Sequence, residues 1–415
     1  MNIEGWTELC LAEIFCSKND KSKQVKSSEY QLIGLYPIVD QSSDFICGYC
    51  DDSKKVINNE LPYTIFGDHT RHTKFVNFPF VVGADGTQII KPIQSVDDRF
   101  FFYLVSDAAN KIGNYGYDRH FKHLREFRCI FPIDKKEQKQ IAEILSTIDR
   151  AIAQTEAIIA KQQRIKTGLM QDLLTKGIDE NGNIRSEATH EFKDSAIGRI
   201  PVEWDIQGLA SLLENIYQGW SPDCESDSAS EDEWGVLKTT SVTWDGYDSQ
   251  ENKKLPNFLK PRPSLEIKKG DVLITRAGPN SRVGVICYVY ETLSKKILSD
   301  KIYKLKFNEN LEPRFFVYSL SGSASQQYLS TLKTGMAESQ TNISQEIVKK
   351  VLTVIPSDQE QIAIANLLDE NLQSYQEHLL IKNKLYLIKT GLMQDLLTGK
   401  VRVTNLLKER EPTSP

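Results

Sequence analysis

The chain has 415 residues, of which 40% are hydrophobic and 26% charged, with a net charge of −5 and seven cysteines. That length suits two to four domains, and no apolar run approaches the ~20 residues that span a bilayer. The acidic balance argues against a surface coated with basic groups but leaves room for a local basic cleft; an odd cysteine count, with a start (MNIEGWTELC) unlike a signal peptide, reads as reduced thiols in a cytosolic protein.

Residues 1–133 form a first globule. Short β-branched and aromatic runs such as Phe78 to Val82 are punctuated by glycines, the pattern of a mixed α+β domain. Cys47 and Cys50 make a lone C-x-x-C, short of a tetrahedral zinc site without a second pair. His69/His72 and His120/His123 are two H-x-x-H pairs, so a metal site is one reading of this region. Their neighbours favour another. The stretches GDHTRHTK (67–74) and GNYGYDRHFKHLREFR (113–128) interleave basic and aromatic side chains, which suits phosphate and base contact. Arg71, Lys74, Tyr117, Arg119, His120 and Lys122 are the DNA-binding candidates here, against the alternative of a solvated charged face.

A helix follows over 134–178. Ile141, Leu145, Ile148, Ile152 and Ile159 recur at helical steps, and Pro132 precedes the start. The segment from Glu137 to Thr175 aligns without a gap with Glu360 to Thr398, and IKTGLMQDLLT stands at both 165–175 and 388–398. About 39 residues make a rod of roughly 60 Å. A single apolar stripe of that length needs a partner, and its natural partner is the other copy, paired antiparallel. Gly168 and Gly391 each cost a helix interior about 1 kcal/mol. They read as points of close approach to another helix, or as tolerated glycines near a frayed end.

The polar stretch from 177 onward supplies a linker over 179–200. A second globule, 201–356, repeats the first: Trp204, Leu209 and Ala210 keep the spacing of Trp6, Leu11 and Ala12, and RFFVYSL (314–320) resembles RFFFYL (99–104). CESDSASEDE (224–233) reads as a weakly ordered acidic loop. TRAGPNSRVG (275–284) and KTGMAESQTNIS (333–344) place Arg276, Asn280, Arg282, Lys333, Gln340 and Asn342 on glycine-bearing loops, with Gln340 and Asn342 near a helix start. Arg pairs bidentately with guanine, and Asn or Gln with adenine. A second long helix over 357–402 carries Ile364, Leu368, Leu372, Tyr375 and Leu379 on one stripe, and 403–415 form a tail. The expected fold is therefore α+β: two mixed α/β recognition domains separated by two long helices pairing as an antiparallel coiled coil, a pseudo-two-fold internal repeat. Such an object measures the distance between two things it holds.

Catalytic signatures are sparse. There is no G-x-x-x-x-G-K-[ST] and no Asn-Pro-Pro-Tyr or Asp-Pro-Pro-Tyr tetrapeptide of amino-methyltransferases. Pro222-Asp223 with Glu266-Ile267-Lys268 superficially matches a Mg-dependent nuclease core, so a stand-alone nuclease is one alternative. A coiled-coil scaffold that does not bind DNA is the other.

The doubled IKTGLMQDLLT, the preambles EQKQIAEILSTID (137–149) and EQIAIANLL (360–368), and the bridge FKDSAIGRIPVEW (192–204) resemble the specificity subunit of type I restriction–modification systems, the HsdS family. YPIVDQS (36–42), FGDHTR (66–71) and VVGADGT (81–87) are similar to its target-recognition domains, so the resemblance covers nearly the whole chain. It implies a non-catalytic subunit of a bacterial or archaeal cytoplasmic complex that recognises a bipartite site in double-stranded DNA. Two methyltransferase subunits, using S-adenosylmethionine, would dock on Gly168, Met170, Gln171, Gly391, Met393 and Gln394. Restriction subunits would add ATP- and Mg-dependent translocation and cleavage. The chain departs from the family plan at its start, where Trp6 comes at once with no counterpart to DSAIGRIP.

Overall fold

The computed structural model describes residues 3–113, 119–224, 226–333 and 341–409. The chain divides into two compact units, one made of residues 1–157 with 380–415 and the other of residues 158–379.

In unit one, Trp6–Cys10 pairs antiparallel with Arg128–Pro132. A four-stranded antiparallel sheet runs in the order Phe15–Ser17, Thr87–Pro92, Tyr63–Gly67, Thr73–Val76. Every residue of Tyr63–Gly67 is buried, so this strand is covered on both faces. A second sheet orders Gln24–Val25, Val81–Gly83, Tyr36–Val39 and Gly48–Cys50, the first two pairings parallel and the last antiparallel. The aromatic run RFFFYL opens the helix Asp98–Lys111. Asp97 caps it by accepting from the Arg99 and Phe100 amides, which satisfies two donors that the helix itself leaves open. Phe100, Phe101 and Tyr103 are thereby sunk into the core around Trp6, Leu11 and Ile141.

Unit two repeats the plan. Asp205–Gly208 pairs with Leu352–Ile355. Its four-stranded sheet runs Leu213–Gln218, Ile302–Phe307, Val272–Thr275, Ile286–Tyr288, so the opening strand again lies beside the last one. Gly235–Leu237 sits between an antiparallel neighbour, Asn252–Lys254, and a parallel one, Lys296–Ile297. RFFVYSL lies in the helix Pro313–Ser321, capped by Glu312. Trp204 and Leu209, the repeat of Trp6 and Leu11, are fully buried.

The two long helices are Lys135–Thr175 and Asp358–Leu396. Each starts one residue inside its expected span of 134–178 or 357–402, where Asp134 accepts from the Lys136 amide and Ser357 from the Glu360 amide, and ends three and six residues short of it. In unit one, Asp149 pairs with Lys389 at 2.7 Å and Glu156 accepts from the Tyr386 hydroxyl at 3.0 Å, a descending match that makes the helices antiparallel. In unit two, Gln162 donates to Ser374 at 2.6 Å, and Leu173 shares a core with Ile364, Ala365 and Leu368.

Three expectations need correction. A Cβ on Gly168 or Gly391 would meet nothing within 4 Å, so neither marks a close approach to a helix of this chain. The linker is partly structured: Phe192–Ser195 and Gly198–Pro201 form a hairpin. Residues 226–233 of the acidic segment are tied down, because the fully buried Lys296 ammonium must find oxygen partners and takes the Ser230 and Glu233 carbonyls, while Lys254 pairs with the Glu233 carboxylate; Glu225 lies outside the described residues. Among the described residues no helix is long and apolar enough to cross a membrane.

Candidate nucleic-acid and partner interfaces

Asp68 organises the basic region of unit one. It is 2% exposed, accepts from the Phe121 amide at 2.8 Å, and offers its own carbonyl to the His120 amide at 2.9 Å. A carboxylate at the first turn of His120–Glu126 suits the positive end of that helix. The arrangement sets Arg119, Lys122 and Arg125 around a cleft of about 530 Å³ floored by Asp68, Gln88 and Phe121. Arg119 is 75% exposed, with Nε 4.0 Å from the Asp68 carboxylate. Three cations, with Glu126 beside them, line this open concavity and can reach a phosphate backbone. Arg125 was not singled out in the sequence; its i+3 spacing from Lys122 was the available signal.

Other candidates in this unit turn inward. Lys74 is 5% exposed: its ammonium donates to the Asp44 carbonyl, lies 3.9 Å from the Asp40 carboxylate, and has its pKa lowered by burial. His120 is buried, with Nδ1 2.9 Å from the Asp68 carbonyl. Both fall to the inside because their strand and helix alternate faces, which composition does not reveal. Arg71 sits at φ 62° and donates to the Ile112 carbonyl at 2.9 Å, bracing a turn. Tyr117 lies outside the described residues. Among the described residues no three His, Cys, Asp or Glu are grouped so as to hold a metal ion; Cys47 instead lies 2.7 Å from the Asp40 carboxylate and 3.0 Å from Ser42 Oγ.

In unit two the chain brings the two polar loops together. Ala277–Gly278 pairs with Thr341–Asn342, placing Asn342 on a short strand two residues before Ser344, which caps the helix Gln345–Lys350. Lys333 Nζ donates to the Asn280 carbonyl and Oδ1 at 3.2 and 3.3 Å, and burial lowers its pKa. Arg276 donates to the Asp300 carbonyl at 3.2 Å and lies over the Tyr303 ring. Arg282 is committed to the Thr239 and Val242 carbonyls at 2.6 and 2.9 Å, so it braces the loops and does not present a free fork. Gln340 lies outside the described residues.

The repeated phrase is split the same way in both units over its first nine residues. Gly168 and Gln171 are exposed, and so are Gly391 and Gln394; Leu173 and Leu396 are buried. Met170 and Met393 are half-buried against the cores of their own units, so most of their surface is turned inward. At the start of each helix stands a buried glutamate. Glu360 accepts from both Arg185 nitrogens, from Trp204 Nε1 at 3.1 Å and from the Ile178 amide at 2.9 Å. Glu137 accepts from Arg402 Nε and Nη2 at 2.7 and 2.9 Å, and Arg402 also donates to the Glu4 carbonyl. The next residue repeats too: Gln138 accepts from the Asp97 amide and donates to the Pro132 carbonyl, as Gln361 does with Glu312 and Pro356. Arg402 thus does from the C-terminal side what Arg185 does beside the bridge.

Residues 3–163 match the family described as the type I restriction modification DNA specificity domain. The chain is 40% identical over 173 residues to the specificity subunit of the type I restriction enzyme EcoEI from Escherichia coli, a stretch covering 41% of this chain and 29% of that protein. It is 29% identical over 374 residues to the specificity subunit of the type I restriction enzyme MjaVIII from Methanocaldococcus jannaschii, covering 85% of this chain and 82% of that protein. The chain therefore spans under a third of the first relative and over four-fifths of the second. In fold it is similar to the S subunit of a type I restriction–modification system from M. genitalium, with a TM-score of 0.63 at 15% identity over 94% of this chain and 96% of that one.

Proposed function

From these matches we propose that the chain belongs to the specificity-subunit family of type I restriction–modification systems and is the non-catalytic, DNA-reading subunit of such a complex in a bacterial or archaeal cytoplasm. Each unit reads one half of a bipartite double-stranded site, and each offers one dock to a methyltransferase subunit. The observation that carries this reading is the doubling: two units whose four-stranded antiparallel sheets share one strand order, each leaving the same glycine–glutamine face of one phrase open to solvent. Two equal faces suit two copies of one partner. In this reading S-adenosylmethionine belongs to the methyltransferase subunits, and ATP and Mg to restriction subunits bound through them. A net charge of −5 fits a chain that binds DNA weakly alone and gains affinity from its partners. The nuclease reading finds little support, since the Glu266 carboxylate is occupied by the Lys295 amide at 2.7 Å.

Sequencing methylated DNA from cells carrying the system tests the proposal: the modified motif should be two short blocks separated by unread bases. Lys122→Ala should weaken DNA binding of the assembled complex evenly across sequences and lower its salt slope by about one. Lys74→Ala should instead lower the unfolding temperature of the chain. An affinity loss without a stability loss at Lys74 would count against its internal placement.

The docking faces make a separate prediction. Alanine at Gly168 or Gly391 meets open space and should stabilise the free chain by up to about 1 kcal/mol. Leucine at either one should leave a complex with one methyltransferase subunit in place of two, read by native mass spectrometry. Retention of both subunits in each single variant would remove these faces from the interface.

A further inference from the structure

Unit two contains a cavity of about 150 Å³ walled by Trp244, Ile286, Tyr288, Tyr290, Val317 and Leu372. Most of the polar side chains around it are already paired. Lys166 Nζ donates to Asp245 at 3.0 Å, Arg314 Nη1 to Asp369 at 2.6 Å, Tyr318 to Asp369 at 2.6 Å, and Tyr290 also to Asp369. Cys287 lines the cavity too, and burial pushes its thiol up to about 12. An ordered water needs two to four polar partners, whereas an apolar void of this size takes a single ring. Trp244 lines the cavity while 45% exposed, so the space reaches the surface.

The other unit supplies an internal control. In the repeated run, Arg99-Phe100-Phe101-Phe102-Tyr103 matches Arg314-Phe315-Phe316-Val317-Tyr318. The position of Val317 is thus held in unit one by Phe102, whose ring packs 5.7 Å from Phe75 and 5.2 Å from Tyr103. One half of the repeat carries a ring of its own, and the other has a valine beside a space of ring size.

We propose that this cavity is a binding site for one uncharged aromatic ring, held by shape and apolar contact and not by hydrogen bonds. The ring is carried either by a free small molecule or by a side chain of a bound partner. The site does not depend on the DNA-reading role, and its test needs no DNA.

The test uses the full chain with benzene and indole as probes, and benzoate as a charged control. At saturation each neutral probe should raise the unfolding temperature by about 3 °C, with saturation-transfer NMR reporting contact, while benzoate should do nothing. Val317→Phe should raise the unfolding temperature without probe and abolish the probe-induced shift. No response of the native chain, an undiminished response in Val317→Phe, or a stronger response to benzoate overturns the proposal. If Val317→Phe does not fold, Val317→Leu is read the same way: a reduced shift supports the site and an unchanged one overturns it. Adding methyltransferase subunits to the benzene-loaded chain then identifies the source. Displacement assigns the ring to the partner and retention to a free molecule, and either result requires the site.

Discussion

Lengthening both long helices by four residues, after Ala157 and after Leu379, is expected to widen the unread gap of the methylated site by about one or two base pairs while the bases on either side stay the same. Four residues add about 6 Å and turn a helix by roughly 400°, so the apolar stripe is displaced by only about 40°. Stacked base pairs rise about 3.4 Å each. Both helices must be lengthened together because they are paired on either side of the insertion points: Asp149 with Lys389 in unit one, Gln162 with Ser374 in unit two. Equal insertions keep both registers, and the segments carrying Arg119, Lys122 and Asn280 are untouched. Sequencing of methylated DNA from cells carrying the variant reads the outcome. A gap of unchanged length, or new bases inside either block, would show that the helices do not set the spacing.

The second large effect concerns the two buried glutamates, which look equivalent in the alignment and differ in what depends on them. Glu360→Ala should destabilise unit two by about 3–5 kcal/mol, because it strands the Arg185 guanidinium in a mostly buried place and leaves the Ile178 amide and the fully buried Trp204 Nε1 without an acceptor. Glu137→Ala should destabilise unit one by only about 1–2 kcal/mol. Its partner Arg402 is 31% exposed and can turn to water, and Trp6 Nε1 has no hydrogen-bond partner among the described residues to lose. Urea unfolding of the two variants measures the difference. Equal losses would mean that the tryptophan bond contributes nothing.

The repeat was legible because it is written in spacing. The ungapped match from Glu137 to Thr175 with Glu360 to Thr398 located both long helices to within two residues, and the Trp6–Leu11 and Trp204–Leu209 pairs marked the matching core positions. The binding faces were less legible, since a basic stretch does not state which side of its strand or helix is covered. Lys74 and His120 sit in the same short stretches as Arg71 and Lys122 and are buried. Arg282 has the composition of a base reader and the geometry of a brace. The strand pairing that joins 277–278 to 341–342 is long-range and left no local signal. The clasp of Arg402 on Glu137 was hidden for the same reason.

That clasp sets a timetable for synthesis. Unit two is one continuous stretch, 158–379, whereas the core of unit one is completed by Leu396, Leu397 and Val403 packing with residues near the chain start. The first 157 residues therefore emerge from the ribosome about 250 residues ahead of their last core contacts, a wait of roughly 12–50 s at 5–20 residues per second. Closing so distant a contact is slow, and the apolar surface around Trp6 and Leu397 stays incompletely covered until it closes. Unit two waits as well, since Leu173 and Trp204 share a core with Ile364 and Leu368, but those partners are translated before Leu396, so the middle of the chain can close first.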